Sequence, residues 1–376
     1  MSLRPSFKNV VAFSHRFSRV PLAALLVIVL VLSTVVAWAW DSAGIGFLFG
    51  LLSLVDGLML VALPRFQKSF GPPQLPWISL IVLRWVPTLV GAWAPAAWAL
   101  VGLGAYHLAL SVSATYACWI EPTRLGVTRI TLSSTDLQGC PPLSVLQISD
   151  LHVERITKRE ERLLELVHEL APDVIVLTGD YLNISYTNDP LAMQQARALL
   201  KQLHAPHGVF AITGSPSVDS PALVRQLLEG LDIIWLRDQV RSLTWRGCPI
   251  TIAGVECSYN LDLDENKLRH LLNGRRGSGF TLLLYHTPDV MPVAVQLGVD
   301  LYLAGHTHGG QLRLPWFGAM ATASQYGKRY EMGLYREGGA TLYVSRGVGL
   351  EGAGAPRARF LCPPELVLFA LTGATD

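Results

Sequence analysis

The sequence predicts an α/β domain of layered sheets preceded by an all-α membrane region of four helices. Two observations carry this reading. Residues 1–120 are long apolar stretches separated by short polar breaks. From residue 121 onward, short apolar runs alternate with amphipathic segments, the pattern of strands and helices packed in layers. The 376 residues are enough for about two such parts, at roughly 150 residues per domain.

Charge marks the same division. Only 15% of the residues are Asp, Glu, Lys or Arg, against roughly 25% in an average soluble domain. Residues 1–120 hold seven basic residues (Arg4, Lys8, Arg16, Arg19, Arg65, Lys68, Arg84) and two acids (Asp41, Asp56), so they carry +5. That leaves 23 basic and 26 acidic residues, a balance of −3, for 121–376. This balance lacks the basic footprint of a general nucleic-acid binder, so no nucleic-acid partner is expected.

Residues 20–40 run through Val, Leu, Ala, Ile and Trp almost without interruption, long enough to cross a hydrocarbon layer ~30 Å thick. Ala37-Trp38-Ala39 resembles the cleavage site of a signal peptide, but the apolar run is long for one and three more follow. Those lie at about 45–63, 77–93 and 96–119, with breaks at Asp41-Ser42, Pro64 to Pro76 and Ala94-Pro95. The lipid bilayer is therefore the expected partner of this part. The N-terminal tail and the second connection hold Lys and Arg whereas the first and third connections hold none, so the positive-inside rule predicts a multi-pass cell-membrane protein whose N-terminus and C-terminal domain are cytoplasmic. Asp56 and Arg84 sit about 10 Å deep in the second and third spans at 1.5 Å per residue. Charges at that depth are costly, and an ion pair between them is expected. His107 reads as a hydrogen-bonded helix contact, and Trp38, Trp40, Trp77 and Trp119 as interfacial anchors. The five cysteines (Cys118, Cys140, Cys248, Cys257, Cys362) form no C-x-x-C pair and read as scattered reduced thiols of a cytosolic domain.

In residues 121–376, strands are predicted at 126–132, 144–149, 173–177, 208–212, 249–254, 280–284, 300–304, 341–344 and 366–370. Helices are predicted at 157–170, 190–203, 219–229, 263–272 and 289–296. Lys158-Arg159-Glu160-Glu161-Arg162 reads as a solvated helix face. No P-loop or Rossmann fingerprint is present, so no nucleotide cofactor is indicated.

The informative residues follow the apolar strands. Leu143 to Ser149 ends in Asp150-Leu151-His152, and Val174 to Thr178 ends in Gly179-Asp180. Thr281 to Leu284 ends in Tyr285-His286, and Leu301 to Ala304 ends in Gly305-His306-Thr307-His308-Gly309-Gly310-Gln311. The carboxyl ends of strands are where open α/β sheets place their sites. Two Asp and four His make a mixed oxygen and nitrogen set that suits Mn, Fe or Zn better than Ca or Mg. The glycines flanking His306 and His308 let backbone approach closely.

This constellation resembles the calcineurin-like metallophosphoesterases over nearly all of 121–376, and within them the membrane-associated bacterial branch of YkuE- and YaeI-like phosphodiesterases. The resemblance implies a four-layer α/β/β/α sandwich and a centre of two divalent metal ions. It implies that Asp150, His152 and His308 hold one ion, that His286 and His306 hold the other, and that Asp180 bridges them. The implied activity is hydrolysis of a phosphodiester or pyrophosphate bond by metal-activated hydroxide. The setting beside lipid points to a lipid or lipid-precursor substrate.

One motif departs from the family. Where the family has Gly-Asn-His followed by an acid, this chain has Gly214-Ser215-Pro216-Ser217-Val218-Asp219. Ser215 is a shorter oxygen ligand than Asn, and Pro216 cannot donate a proton. A slowed or specialised hydrolase is one expectation; a metal-binding regulatory or interaction protein is the alternative. Asn183, His204, His207 and Asp219 are the candidate substitutes for the lost groups. Asn183, Arg346 and Arg357 are the candidate substrate contacts, the arginines through bidentate bonds to a phosphate.

Overall fold

A computed structural model describes residues 17, 19–93, 97–274, 279–352 and 357–374. The chain forms two compact units, Met1–Ile120 with Gly352–Ala358 and Glu121–Glu351 with Arg359–Asp376.

The first unit contains four apolar helices, α1 (Leu22–Ala39), α2 (Ala43–Ala62), α3 (Gln74–Gly91) and α4 (Ala97–Thr115). Each matches a predicted span to within a few residues, and all are long and apolar enough to cross a membrane. Arg4, Lys8, Arg16 and the Ala94-Pro95 break lie outside the described residues. Ser42 caps α2 by accepting from Ile45 N. Pro87 inside α3 has no N–H to offer the Leu83 carbonyl one turn back. The Tyr106 hydroxyl of α4 donates to that carbonyl instead, at 2.8 Å.

The expected ion pair is present and forms part of a larger network. Arg84 donates through Nε to Asp56 Oδ2 at 2.6 Å and through Nη2 to Asp56 Oδ1 at 2.8 Å. Its Nη2 also reaches Ser111 Oγ at 2.8 Å, and its Nη1 lies 3.3 Å from His107 Nδ1. The Thr88 hydroxyl donates to Arg84 O and lies 3.0 Å from His107 Nε2. With Nε2 donating to Thr88 and Nδ1 accepting from Arg84, a neutral His107 satisfies both neighbours. Three helices thus meet through a fully hydrogen-bonded polar core. Trp38 is exposed as an anchor would be. Trp77 is not: it is buried and donates to Ser53 O on α2 at 2.7 Å, because the small residues there leave room for an indole.

The second unit holds two six-stranded sheets. The first contains β1 (Gly126–Ser134), β2 (Leu143–Ile148), β3 (Val174–Leu177), β4 (Val209–Ala211), β5 (Ile234–Trp235) and β14 (Glu365–Gly373), in the order β1-β14-β2-β3-β4-β5. The second contains β6 (Gln239–Trp245), β7 (Cys248–Gly254), β8 (Phe280–Leu284), β9 (Leu301–Ala304), β12 (Gly333–Glu337) and β13 (Ala340–Val344), in the order β12-β13-β9-β8-β7-β6. A small hairpin, β10 (Arg313–Leu314) and β11 (Gly318–Ala319), follows β9. The helices are α5 (Lys158–Leu170), α6 (Pro190–Leu200), α7 (Pro221–Leu228), α8 (Leu261–Leu272) and α9 (Met291–Leu297).

Alternation along each strand builds the layers. On β2, Val145 packs between the sheets with Phe210, Ile252 and Leu282, while Leu146 and Ile148 face Leu163 and Leu199 of α5 and α6. On β8, Leu282 and Leu284 face inward, while Leu283 faces the core under α8 and α9. The result is the expected four-layer α/β/β/α sandwich.

Two expectations are corrected here. The cysteines are not all thiols: Cys140 and Cys248 form a disulfide, their Cα atoms 6.1 Å apart although 108 residues separate them in sequence. Cys118, Cys257 and Cys362 are free and buried. The Lys158–Arg162 run is not a uniform solvated face either. Glu160 turns back onto Thr157 N in a capping box that buries Arg159 with it, which fixes the start of α5.

Candidate metal centre

The parallel core strands end level with one another. Ile148 of β2 lies opposite Leu177 of β3, Leu177 opposite Ala211 of β4, and Leu284 of β8 opposite Leu303 of β9. The residues that follow therefore converge on one edge of the sandwich. Gln147 ties the two sheets beneath them, donating from β2 to Ala304 O of β9 at 2.9 Å.

Five of the six predicted ligands leave their strands through left-handed backbone, at φ +51° for Asp150, +42° for His152, +57° for Asp180, +69° for His306 and +50° for His308. Residues with a Cβ adopt this region at a cost of about 1 kcal/mol or more each, and such strain concentrates at functional sites. Here it turns side chains inward that a continuing strand would alternate outward. Gly305 allows the close approach: a Cβ there would lie 2.2 Å from Asp150 Oδ2.

All six side chains are buried and fall into two groups able to hold a metal ion, Asp150-His152-His308 and Asp180-His286-His306. In the first, the Nε2 atoms of His152 and His308 lie 2.9 Å apart, and His308 Nε2 is 3.5 Å from Asp150 Oδ1. In the second, His286 Nε2 is 3.2 Å from Asp180 Oδ2. The same Asp180 oxygen is 3.7 Å from His152 Nε2, so this carboxylate stands between the groups. His286 Nδ1 lies 2.7 Å from Thr178 O, which assigns the proton to Nδ1 and leaves Nε2 free to ligate.

The electrostatics are those of buried, tightly coupled donors. Burial works against the His286 imidazolium, yet the adjacent Asp180 carboxylate raises its pKa to about 10. Burial, with the His286 charge, lowers His306 to about 3. Burial and His152 hold His308 neutral. Four buried imidazoles converge on two carboxylates, and His152 Nδ1 has no hydrogen-bond partner among the described residues. These residues fit two divalent ions of the imidazole- and carboxylate-binding kind.

Ser215 is at the second group. Its hydroxyl lies 3.1 Å from Asp180 Oδ2, 3.1 Å from His286 Nε2 and 3.2 Å from His306 Nδ1, and its N–H donates to Asp180 Oδ1 at 2.6 Å. Pro216 is exposed next to it and offers no proton.

The other candidates divide. Asp219 is buried under the site and accepts from Asp180 N at 2.7 Å, Gly214 N at 2.8 Å and Tyr181 N at 3.2 Å, so it positions the Asp180 and Ser215 loops. Asn183 is buried and donates to Leu350 O at 2.8 Å, a loop tie. Arg346 is not a free phosphate contact: its guanidinium is bound to Glu365 at 2.5 Å. Arg357 is buried and falls in the 352–358 segment, which belongs with the helical unit. His204 and His207 are exposed in the turn before β4, at the opposite end of the strand from the site.

Sequence reasoning missed two residues. Tyr259 places its ring 5.9 Å from that of His306. Glu351 joins His152 and Asp180 in a third group able to hold a metal. Tyr259 follows a loop with no motif. Glu351 ends a glycine-bearing stretch whose predicted contact was Arg346, and a lone acid there gave no signal.

No family model matches the chain. It is 31% identical over 265 residues to the metallophosphoesterase YkuE of Bacillus subtilis, covering 68% of this chain and 88% of that protein. It is 26% identical over 316 residues to the UDP-2,3-diacylglucosamine pyrophosphatase LpxG of Chlamydia trachomatis, covering 67% and 91%. It is 28% identical over 240 residues to the phosphodiesterase YaeI of Escherichia coli, covering 61% and 82%. Together with the two-sheet sandwich and the converging Asp and His set, this extent of similarity establishes that the chain belongs to the metallophosphoesterase family.

Proposed function

We propose that this protein is a membrane-anchored, dinuclear-metal phosphoesterase that hydrolyses a phosphodiester or pyrophosphate bond in a lipid or lipid precursor. The observation that carries the chemistry is the pair of donor groups with Asp180 between them. Asp150, His152 and His308 would hold one ion, His286 and His306 the other, and Asp180 both. Two such ions, when bound, would supply a nucleophile at neutral pH and neutralise charge on the phosphoryl oxygens. The chain's own residues fix the geometry. Thr178 O orients His286, Asp219 holds the Asp180 and Ser215 loops, and Gln147 keeps the two sheets in register beneath them. Mn, Fe and Zn all suit the donors.

The anchor reading rests on four helices of spanning length and on basic residues in the tail and second connection but not in the first or third, which favour a cytoplasmic N-terminus and domain. The lipid reading adds the relative named for a diacylated sugar nucleotide. Hydrolysis of bis-p-nitrophenyl phosphate and of a lipid pyrophosphate in mixed micelles, by the full chain with Mn²⁺, tests both. Metal-dependent turnover favouring the lipid is expected. Turnover of the soluble ester alone would sink the lipid assignment; no turnover of either, from protein that binds two ions, would favour a regulatory protein.

Ser215 and Pro216 favour that second reading, since Pro216 has no proton to donate to a leaving group. Ser215→Asn with Pro216→His is expected to accelerate hydrolysis of esters with poor leaving groups about 10²-fold or more, the usual worth of a positioned acid. Nitrophenolate leaves without protonation, so bis-p-nitrophenyl phosphate should change little. Equal acceleration of both substrates would refute the leaving-group explanation.

A further inference from the structure

We propose that Glu351 is a carboxylate ligand of the ion held by Asp150, His152 and His308, an additional ligand supplied by the loop after β13. This rests on the reading of the site as a metal centre and extends its donor set.

The geometry comes first. Glu351 Oε2 lies 3.7 Å from His152 Nε2 and 3.8 Å from His308 Nε2. One oxygen of Glu351, one of Asp180 and one nitrogen of His152 all lie within 4.8 Å of one another. Donors about 2.1 Å from a shared ion stand roughly 3–4 Å apart, so these separations suit a common ion.

The loop is built to hold that carboxylate. Val348 N donates to Ser149 O at 3.0 Å, and Gly349 N to Asp150 O at 2.7 Å, which fastens the loop to the segment that carries the first ligands. Gly349 is required by closeness: a Cβ there would lie 2.3 Å from Leu151 O and 2.7 Å from His152 Cβ. Buried Arg359 donates to Gly349 O at 2.6 Å and Gly347 O at 3.1 Å. Asn183, three residues past Asp180, donates to Leu350 O, and the Glu351 N–H donates to Gln311 Oε1 at 3.0 Å. Val348, Gly349 and Leu350, the three residues before Glu351, are thus tied to segments that bear a ligand. Its side chain is 19% exposed, at the mouth of a site whose other ligands are buried.

The placement also sets the two groups further apart. Ser215 gives the second group a weaker donor, whereas Glu351 adds a negative charge beside the first, so the two ions should bind with unequal affinity.

The test is Mn²⁺ binding to the chelator-stripped full chain in detergent, read by calorimetry and by the Mn²⁺ paramagnetic resonance spectrum. Wild type is expected to take up two ions. Glu351→Gln, isosteric and neutral, should weaken one ion about tenfold or more and leave the other unchanged. Glu351→Asp keeps the charge one methylene farther back and should fall between. Wild-type affinity for both ions in Glu351→Gln overturns the proposal. So does tighter binding, which is what a carboxylate that merely competed for His152 would give on removal. A wild-type protein that binds no ion at all fails the metal-centre reading itself, a separate outcome. Thermal melting of each variant identifies any loss of fold, and in that event Glu351→Asp, the smaller perturbation, decides.

Discussion

Asp180→Ala is expected to abolish tight binding of both ions and to lower turnover of bis-p-nitrophenyl phosphate by about 10³-fold or more. Its carboxylate faces both donor sets, 3.2 Å from His286 Nε2 and 3.7 Å from His152 Nε2. Truncation also deprives the Ser215 N–H of its acceptor, so the loop that closes the second group loses its fixed position. Asp180→Asn retains that acceptor and the shape of the side chain but removes the charge. It should keep the fold and still lose most of the metal affinity, which separates charge from loop positioning. Ion stoichiometry by equilibrium dialysis, beside the hydrolysis rate, is the measurement. A variant that kept two ions and its rate would show that Asp180 bridges nothing.

Asp56→Ala should destabilise the helical unit by about 3–5 kcal/mol, because it leaves the Arg84 guanidinium buried without its counter-charge. Arg84 is fully buried, and Ser111 and His107 are neutral partners that cannot replace a bidentate carboxylate. Arg84→Leu should cost a similar amount by stranding Asp56. The double replacement Asp56→Leu with Arg84→Leu should cost far less than the sum, since it removes both charges together. Denaturant unfolding in mixed micelles measures all three. Single variants as stable as wild type would show that the pair does not hold the helices together.

Much of this was legible because function and fold share a grammar here. An apolar run that ends in a polar ligand names both the strand and the side chain it delivers, and β2, β3, β8 and β9 each do so. The four apolar helices and the Asp56–Arg84 pair were legible for the same reason: isolated charges in apolar runs need a partner at matching depth. Other features had no local sign. β5, β10 and β11 are two-residue strands with no period to detect, and β6 and β12 are half-exposed at sheet edges. Arg346 looked free because its partner Glu365 is 19 residues away, beyond any local pairing rule. Glu351 reaches the site only because Gly349 lets its loop lie against Leu151 and His152, a contact set by the tertiary fold.

The Cys140–Cys248 bond bears on the sidedness of the whole protein. It ties the segment before β2 to the start of β7 across 108 residues, and closing a loop of that length restricts the unfolded chain by about 4.7 kcal/mol on the entropic account. Bonds of this kind persist outside the cytosol and are kept open by its reductants. A domain on the cytosolic face would therefore hold two thiols and forgo that stabilisation. An intact bond in native membranes would instead place the domain, and with it the N-terminus, across the bilayer, against the basic residues of the tail. On the proposed four-span topology, the oxidation state of two sulfur atoms would thus report which way all four helices point.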